Sequence, residues 1–123
     1  MPVEITDAER AIMEALWSEQ PLRTGQIVQH VSGSRAWHQK TVSTLIRRLV
    51  DKGAVAYDKG VGGHLYYPLI DKEDYRQGEA KRLIAELFDG KITPLLAGFA
   101  NVEKLSKSDV SELRKLVAKL EQQ

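Results

Sequence analysis

Hydrophobic residues recur at helical spacing through most of this chain, and the most regular stretch is 37–53. Val42, Leu45, Ile46 and Leu49 fall at positions i, i+3, i+4 and i+7. This spacing places the four side chains on one face of a helix, while the residues between them face away from it. Gly53 supplies a helix end, because glycine accepts the left-handed conformation that often follows the last turn. The pattern therefore predicts a helix with one buried and one polar face.

Two shorter helices are predicted before this stretch. The segment 6–9 has a capping-box sequence, Thr-Asp-Ala-Glu, which opens a helix predicted over 7–18. Pro21 separates this helix from a second one, which Thr24 is predicted to cap. Three short helices with tight connections are typical of a helix-turn-helix domain. The predicted inward residues are Ala8, Ile12, Met13, Leu16 and Trp17 in the first helix, and Ile27, Val28 and Val31 in the second.

After Gly53 the hydrophobic pattern changes from helical to alternating. The segments 55–58 and 65–67 are predicted strands, and the glycine-rich stretch 59–64 joins them in a β-hairpin. Pro68 ends the second strand because it has no N–H to donate to a ladder. The glycines do not form a phosphate loop, since no GK[ST] sequence follows them. The preferred interpretation is a flexible wing in which Lys59 contacts a nucleic-acid backbone, with His64 as a second candidate for such a contact.

The last third of the chain predicts three more amphipathic helices. Asp71 caps the first, which runs to about residue 89 and ends at Gly90, and the pair Thr93-Pro94 supplies the cap and first residue of the next. The segment 106–109 opens the last helix. These helices either fold back on the first domain or pair with a second copy, and dimerisation is preferred because so few residues make a poor core alone. The residues predicted to dimerise are Leu83, Leu87, Leu95, Leu96, Phe99, Val110, Leu113, Leu116, Val117 and Leu120.

The predicted fold class is therefore mainly α with a small β-hairpin. A winged helix-turn-helix DNA-binding domain is expected over residues 1–70 and a helical dimerisation domain over 71–123. With 123 residues, 42% hydrophobic and 28% charged, the chain has the composition of a folded globular protein. The net charge is only +1, but residues 33–60 hold six basic side chains against two acidic ones, Asp51 and Asp58. The basic six are Arg35, Lys40, Arg47, Arg48, Lys52 and Lys59.

The outward face of the 37–53 helix carries the side chains expected of a DNA recognition helix. Lys and Arg suit phosphates, and short hydroxyl side chains allow close approach to a groove. Two alternatives are an ordinary amphipathic surface helix and a protein-interaction module in which Lys40, Arg47 and Arg48 bind an acidic partner. Trp37 is interpreted as a packing anchor rather than a DNA contact. The predicted DNA-binding residues are Gln39, Lys40, Thr41, Ser43, Thr44, Arg47 and Arg48, with Lys59 from the wing.

Catalytic and metal-binding functions find little support. The chain contains no cysteine, and His30, His38 and His64 lack metal-ligand spacing. No nucleophile elbow or phosphate loop occurs, so no catalytic residue, metal or cofactor is predicted. The segment 1–9 does not resemble a signal peptide, and no apolar run approaches the roughly 20 residues that span a bilayer. The expectation is a cytoplasmic protein without stable membrane insertion.

Four segments of the chain carry a resemblance to a known family. The sequences ITDAERAIMEALW, KTVSTLIRRLVDKG, LYYPL and LSKSDVSELRKLVAKL resemble those of penicillinase repressors of the BlaI/MecI type, whose wider family includes the CopY repressors. The resemblance covers essentially the whole chain. It implies transcriptional repression by a homodimer bound to a palindromic double-stranded operator. Candidate targets are β-lactamase or related genes, and a membrane sensor protease system is the candidate inducing partner.

Two departures from the family pattern limit what the resemblance implies. The C-terminal cysteine-rich metal motif of copper-responsive members is absent, so copper sensing is not expected. The β-lactam-responsive members are cleaved between an Asn and a Phe, whereas the matching place here contains Gly98 and Phe99. Gly98-Phe99 is therefore the candidate cleavage bond, and the inducing signal stays open.

Overall fold

The computed structural model describes residues 3–102 and 105–123, which form helices and one two-stranded antiparallel sheet. The chain divides into two compact units, the first ending at Gly78 and the second beginning at Glu79. The elements are α1 (Asp7–Ser18), α2 (Thr24–Ser32), α3 (Gln39–Asp51), β1 (Val55–Gly60), β2 (Gly63–Pro68), α4 (Lys72–Phe88), α5 (Ile92–Val102) and α6 (Lys107–Glu121).

Helix α1 begins as its capping sequence predicts. The Thr6 hydroxyl accepts a hydrogen bond from the Glu9 N–H at 3.1 Å, and the Thr6 N–H donates to the Glu9 carboxylate at 2.9 Å. Two N–H groups that would otherwise lack a partner at the helix start are satisfied in this way. The apolar stripe of α1 is buried, and Ile12, Met13 and Leu16 are fully enclosed in the core.

The prediction that Thr24 caps α2 is wrong, because Thr24 is already the first residue of the helix and Arg23 is its N-cap. The Arg23 N–H donates to the Gln26 side chain at 2.8 Å, so the glutamine at the third helical position satisfies the N–H of the cap residue. The residue before Arg23 explains this arrangement. Leu22 exchanges two backbone hydrogen bonds with Tyr66, at 2.9 and 2.8 Å, which holds the chain extended up to the helix start.

Helix α3 covers residues 39–51, and His38 caps it by accepting the Lys40 N–H on Nδ1 at 3.3 Å. Gly53 has a φ of +81°, which confirms the predicted helix end. Glycine adopts this left-handed conformation without the steric penalty that a Cβ atom brings. The turn at Gly53 leads the chain from α3 directly into β1.

The hairpin has longer strands and a tighter turn than the alternating pattern predicted. β1 and β2 pair from Val55 opposite Pro68 up to Gly60 opposite Gly63, so two glycines of the predicted loop belong to the ladder. Only residues 61 and 62 remain in the turn, and Gly62 has a φ of +87°. Pro68 is the last residue of β2, as predicted.

One hydrophobic core joins α1, α2, α3 and the start of β1. It confirms the predicted inward stripes of the three helices, although Ala8, Trp17 and Val28 are only partly buried at its edge. The buried apolar residues are Ile5, Ile12, Met13, Ala15, Leu16, Leu22, Ile27, Val31, Val42, Leu45, Ile46, Leu49, Ala54 and Val55.

Glu9 is the buried charged residue of this core, with 1% of its surface exposed. Its carboxylate accepts a hydrogen bond from the ammonium group of Lys52, which also donates to the Glu4 carbonyl at 2.9 Å. Burial by itself would raise the pKa of Glu9. The hydrogen bonds from Lys52 and Thr6, together with the positive charge of Lys52, outweigh burial and hold that pKa below its ordinary value. The pair ties the start of α1 to the end of α3.

The first unit extends past the boundary predicted after Ile70, because the first turns of α4 pack against α1. The Trp17 indole N–H donates to the Ile70 carbonyl at 2.8 Å, and the Trp17 and Tyr75 ring centroids are 5.4 Å apart. Lys72 forms an ion pair with Glu14 at 3.3 Å. These contacts place residues 71–78 with the winged helix, so the compact unit ends within α4.

The second unit contains the rest of α4 with α5 and α6. Helix α4 ends at Phe88, and the two residues after it have positive φ values, +52° at Asp89 and +79° at Gly90, the predicted helix end. Helix α5 begins at Ile92, so the predicted start at Thr93-Pro94 is wrong. Pro94 is accommodated in the first turn, where an N–H has no partner within the helix. Helix α6 starts as predicted, with Ser106 as N-cap accepting the Asp109 N–H at 3.0 Å.

Candidate nucleic-acid interface

The two faces of α3 differ sharply in exposure. Val42 and Leu49 are fully buried against α1 and α2, and Leu45 and Ile46 are nearly so. All the predicted DNA-binding residues of this helix lie on the opposite side and are exposed: Gln39, Lys40, Thr41, Ser43, Thr44, Arg47 and Arg48. The apolar stripe therefore anchors the helix while its polar face remains available to a partner.

The positive charge of this surface comes from fewer residues than the sequence suggests. Lys40, Arg47, Arg48 and Lys59 form no ion pair within residues 3–102 and 105–123. Lys52 differs from them because it is committed to Glu9. Lys52 therefore contributes to the stability of the fold, and the four unpaired cations supply the charge that faces solvent.

Thr44 has its hydroxyl proton committed within the helix. Its Oγ1 donates to the Lys40 carbonyl four residues earlier, at 3.0 Å. The side chain therefore offers a hydroxyl lone pair and a methyl group to a ligand, but no hydrogen-bond donor. A methyl group suits contact with the thymine methyl, and a lone pair suits an amino group of adenine or cytosine.

Arg23 holds the tip of the wing, although no sequence motif predicts Arg23 at this site. The Arg23 guanidinium donates through Nη1 to the Gly63 carbonyl at 3.4 Å. This contact joins the start of α2 to the turn of the hairpin across 40 residues of sequence. No local pattern signals such a contact. Lys59, which the sequence did assign to the wing, is exposed and lies opposite His64 in the ladder.

Trp37 packs against the edge of the core, which supports its interpretation as a packing anchor. The Arg35 guanidinium carbon lies 4.9 Å from the centroid of the Trp37 ring, within the range of a cation–π contact. Arg35 and Trp37 therefore form a cation–π pair in the segment that precedes α3.

The three histidines have separate surroundings. The His30 Nε2 donates a hydrogen bond to the Glu19 carboxylate at 3.2 Å, His38 caps α3, and His64 lies on the wing. No group of three or more possible His, Cys, Asp or Glu metal ligands occurs in the part of the chain that the structure describes. Likewise, no helix among the described residues is long and apolar enough to cross a membrane.

The second unit exposes much of its apolar surface. Neither α4 nor α6, both of which are described in full, contains a buried residue. Among the residues predicted to dimerise, Leu95, Leu96 and Leu113 are half-buried. The other seven are 37–67% exposed: Leu83, Leu87, Phe99, Val110, Leu116, Val117 and Leu120. The candidate cleavage bond, Gly98-Phe99, lies inside α5, and both of its residues are exposed.

A three-helix core, a braced hairpin and an exposed basic third helix define the protein as a winged-helix DNA-binding protein. The profile of the family described as penicillinase repressor matches residues 5–119. The penicillinase repressor of Bacillus licheniformis is 26% identical over 114 residues, which are 93% of this chain and 89% of that protein. The protein MecI of Mammaliicoccus sciuri, a methicillin resistance regulatory protein, is 30% identical over 116 residues, which are 94% of each chain.

Solved structures agree with this match. The B. licheniformis BlaI monomer in complex with the blaP half-operator is 33% identical, with a TM-score of 0.52, and covers 58% of this chain and 88% of that one. The DNA-binding domain of the repressor BlaI is also 33% identical, with a TM-score of 0.54, and the match covers 59% of this chain and 89% of that domain. The chain therefore belongs to the penicillinase repressor family and is a DNA-binding repressor.

Proposed function

We propose that the protein represses transcription as a homodimer on a two-fold symmetric operator, with α3 of each copy in the major groove. The observation that carries the proposal is the exposed face of α3, where unpaired Lys40, Arg47 and Arg48 stand beside short hydroxyl side chains. These three cations contact phosphates, while short hydroxyl side chains such as Thr41 and Thr44 approach base edges. The likeness to BlaI, whose monomer is described in complex with the blaP half-operator, supports operator binding by this chain.

The second copy is proposed to cover the apolar surface of α4, α5 and α6. Monomeric proteins rarely expose large contiguous apolar patches, and Leu87 and Leu120 are each more than 60% exposed. A two-fold axis through this surface would place two α3 helices on one side of the duplex when half-site centres lie about 10 base pairs, or a small multiple of that, apart.

The names of the relatives support a more specific proposal. Because they are penicillinase repressors and a methicillin resistance regulator, the proposed target genes are those for β-lactamase or related resistance functions. Repression of these genes would take place in the cytoplasm, where the operator is, and no catalytic step is proposed for the chain.

Binding to duplex DNA tests the proposal directly. A duplex selected by the full-length protein from a randomised library serves as the specific probe, with a scrambled duplex and a single strand beside it. The affinity for the selected duplex should fall steeply as salt rises, because each neutralised phosphate releases counterions. If the protein does not bind duplex DNA and binds acidic proteins instead, the proposal is overturned and the protein-interaction module is supported.

Thr44→Ala should lower affinity for the selected duplex by about 1–3 kcal/mol and leave affinity for scrambled DNA nearly unchanged. The substitution should not lower the stability of the fold, because alanine has a higher helix propensity than threonine and the lost hydroxyl donates a hydrogen bond only within α3. Arg48→Ala is the matched comparison on the same helix, and it should weaken both duplexes alike and lower the salt slope by about one. Equal losses on both duplexes for Thr44→Ala would show that Thr44 contacts no base.

Proteolysis at Gly98-Phe99 is the proposed inducing event, with a membrane sensor protease system as the partner. A bond inside a helix is cut through locally opened states, and Gly98 lowers the stability of the α5 interior by roughly 0.5–1 kcal/mol relative to alanine. Mass spectrometry of the repressor from induced cells should find a fragment ending at Gly98, which cells before induction lack. An intact chain in fully derepressed cells would exclude cleavage.

A further inference from the structure

One face of the wing carries a cluster of aromatic and basic side chains that the α3 surface does not include. Tyr57 lies opposite Tyr66 in the ladder, and Lys59 lies opposite His64. Since alternate residues of a strand share a face, all four side chains project from the same side of the hairpin. Val55, at the base of that side, is buried in the core. The cluster therefore continues the inner face of the hairpin beyond the core, towards the tip.

The imidazole of His64 is held in place by its neighbours although it is exposed. Its ring stacks on Tyr57 with centroids 4.1 Å apart and an interplanar angle of 17°. The His64 and Tyr66 rings meet at an interplanar angle of 72° with their centroids 5.9 Å apart, and the Tyr66 hydroxyl lies 3.4 Å from the His64 Nδ1. When this hydroxyl donates to Nδ1, the proton of the neutral ring is on Nε2, which is then the nitrogen available to a ligand.

The charged groups around this imidazole are cations. Lys59 faces it from β1, and from the start of α2 Arg23 donates to the carbonyl of Gly63, the residue before His64. Among the described residues no carboxylate pairs with His64, and Asp58 lies on the other face of the hairpin. His30 is the opposite case, since the Glu19 carboxylate is 3.2 Å from it. The surroundings of His64 therefore favour an anionic ligand.

We propose that His64 is a phosphate-binding residue of the wing, positioned by Tyr57 and Tyr66, and that it takes up a proton when it binds DNA. The inference rests on the proposed DNA-binding function and adds a residue and a pH dependence to it. In the free protein the Nε2–H is the donor. On binding, Nδ1 takes a proton from solvent and the Tyr66 hydroxyl turns to accept it, since a hydroxyl can donate or accept. The contact then becomes a charge-assisted hydrogen bond to a phosphate oxygen.

Phosphate contacts carry no sequence information, so a labelled duplex of random sequence is a sufficient probe. The affinity of the full-length protein, measured by fluorescence anisotropy, should rise about tenfold as pH falls from about 8 to about 5.5, the range in which histidine changes charge. His64→Gln should remove most of this rise, because glutamine donates a hydrogen bond but does not titrate. His30→Gln is the matched control and should keep the full pH dependence.

The outcomes separate this inference from the function on which it rests. A protein that fails to bind the duplex at any pH overturns both. Arg48→Ala should weaken binding at every pH without flattening the profile, which tests the α3 interface alone. If the duplex binds and His64→Gln retains the wild-type pH dependence, the proposed function survives and the role of His64 is overturned.

The Tyr66 hydroxyl provides a second, spectroscopic test. Nitrogen NMR of the free protein at high pH should show the Nε2–H tautomer of His64, whereas Tyr66→Phe, which keeps the ring, should give a mixture of tautomers. The same variant should reduce the contribution of His64 to binding, so that Tyr66→Phe and His64→Gln are not additive. A wild-type ring that carries its proton on Nδ1 would overturn the proposed positioning.

Discussion

Cutting the chain after Gly78 is expected to leave a folded, monomeric winged helix that binds the selected duplex about 100-fold or more weakly than the full chain does. In the proposed dimer, binding of the first α3 presents the second to its half-site at an effective concentration of up to about millimolar. A single winged helix loses this advantage and keeps only its own phosphate and base contacts. Sedimentation equilibrium and a gel-shift titration measure the two expected results.

A fragment ending at Ile70 makes the comparison sharper. It lacks Tyr75, whose ring packs on Trp17, and Lys72, which pairs with Glu14. It should therefore unfold at a lower urea concentration than the fragment ending at Gly78. Equal midpoints for the two fragments would show that the first turns of α4 add nothing to the winged helix.

Point substitutions in the full chain separate dimerisation from truncation. Leu116→Asp should dissociate the dimer, because Leu116 belongs to the exposed apolar surface and an unpaired charge is costly to bury there. Ser111→Asp adds the same charge elsewhere on α6, at an exposed polar residue, and should leave the dimer intact. A truncated chain that stays dimeric, or that binds the duplex as tightly as the full chain, would assign the C-terminal helices another role.

Lys52→Ala should lower the free energy of unfolding by about 3 kcal/mol at neutral pH, the low end of the range for breaking a buried ion pair. The variant leaves the Glu9 carboxylate buried with the Thr6 contacts alone. Lys52 itself is partly exposed, which is why the low end applies. Lys59→Ala is the matched control, since it removes an exposed, unpaired lysine, and it should change stability by no more than about 0.5 kcal/mol. Urea denaturation at a fixed protein concentration measures both.

The pH dependence of stability gives a second test of the same pair. The pKa of Glu9 in the folded protein is lower than its ordinary value of 4.5, so the unfolded chain binds a proton more readily. The stabilising contribution is therefore complete above pH 4.5 and is lost as pH falls through the lowered folded value. Lys52→Ala should weaken this acid sensitivity, because a buried carboxylate without its cation gains from protonation. If Lys52→Ala and Lys59→Ala match in stability and in pH dependence, the pair is not stabilising.

Features that lie within one helix or one hairpin could be predicted from the sequence alone. The capping boxes at Thr6 and Ser106, the helix ends at Gly53 and Gly90 and the stripe of α3 all join residues a few positions apart. Local conformation and periodicity determine such features, because neighbours in sequence are neighbours in space. The exposed face of α3, and hence the predicted DNA-binding residues, followed from the buried stripe on its opposite side.

Contacts between distant segments were decided only by the tertiary structure. Lys52 is one of the six basic residues of the segment 33–60, yet it pairs with Glu9, 43 residues away. Arg23 gives no local sign that it braces the wing, and Trp17 gives none that it holds Ile70 and Tyr75. The cap of α2 is Arg23, and not the predicted Thr24, because Leu22 pairs with Tyr66 and keeps the chain extended up to that point. The sequence thus determined where helices and strands form, whereas the partner of each charged and aromatic side chain depended on which surfaces the packed core brought together.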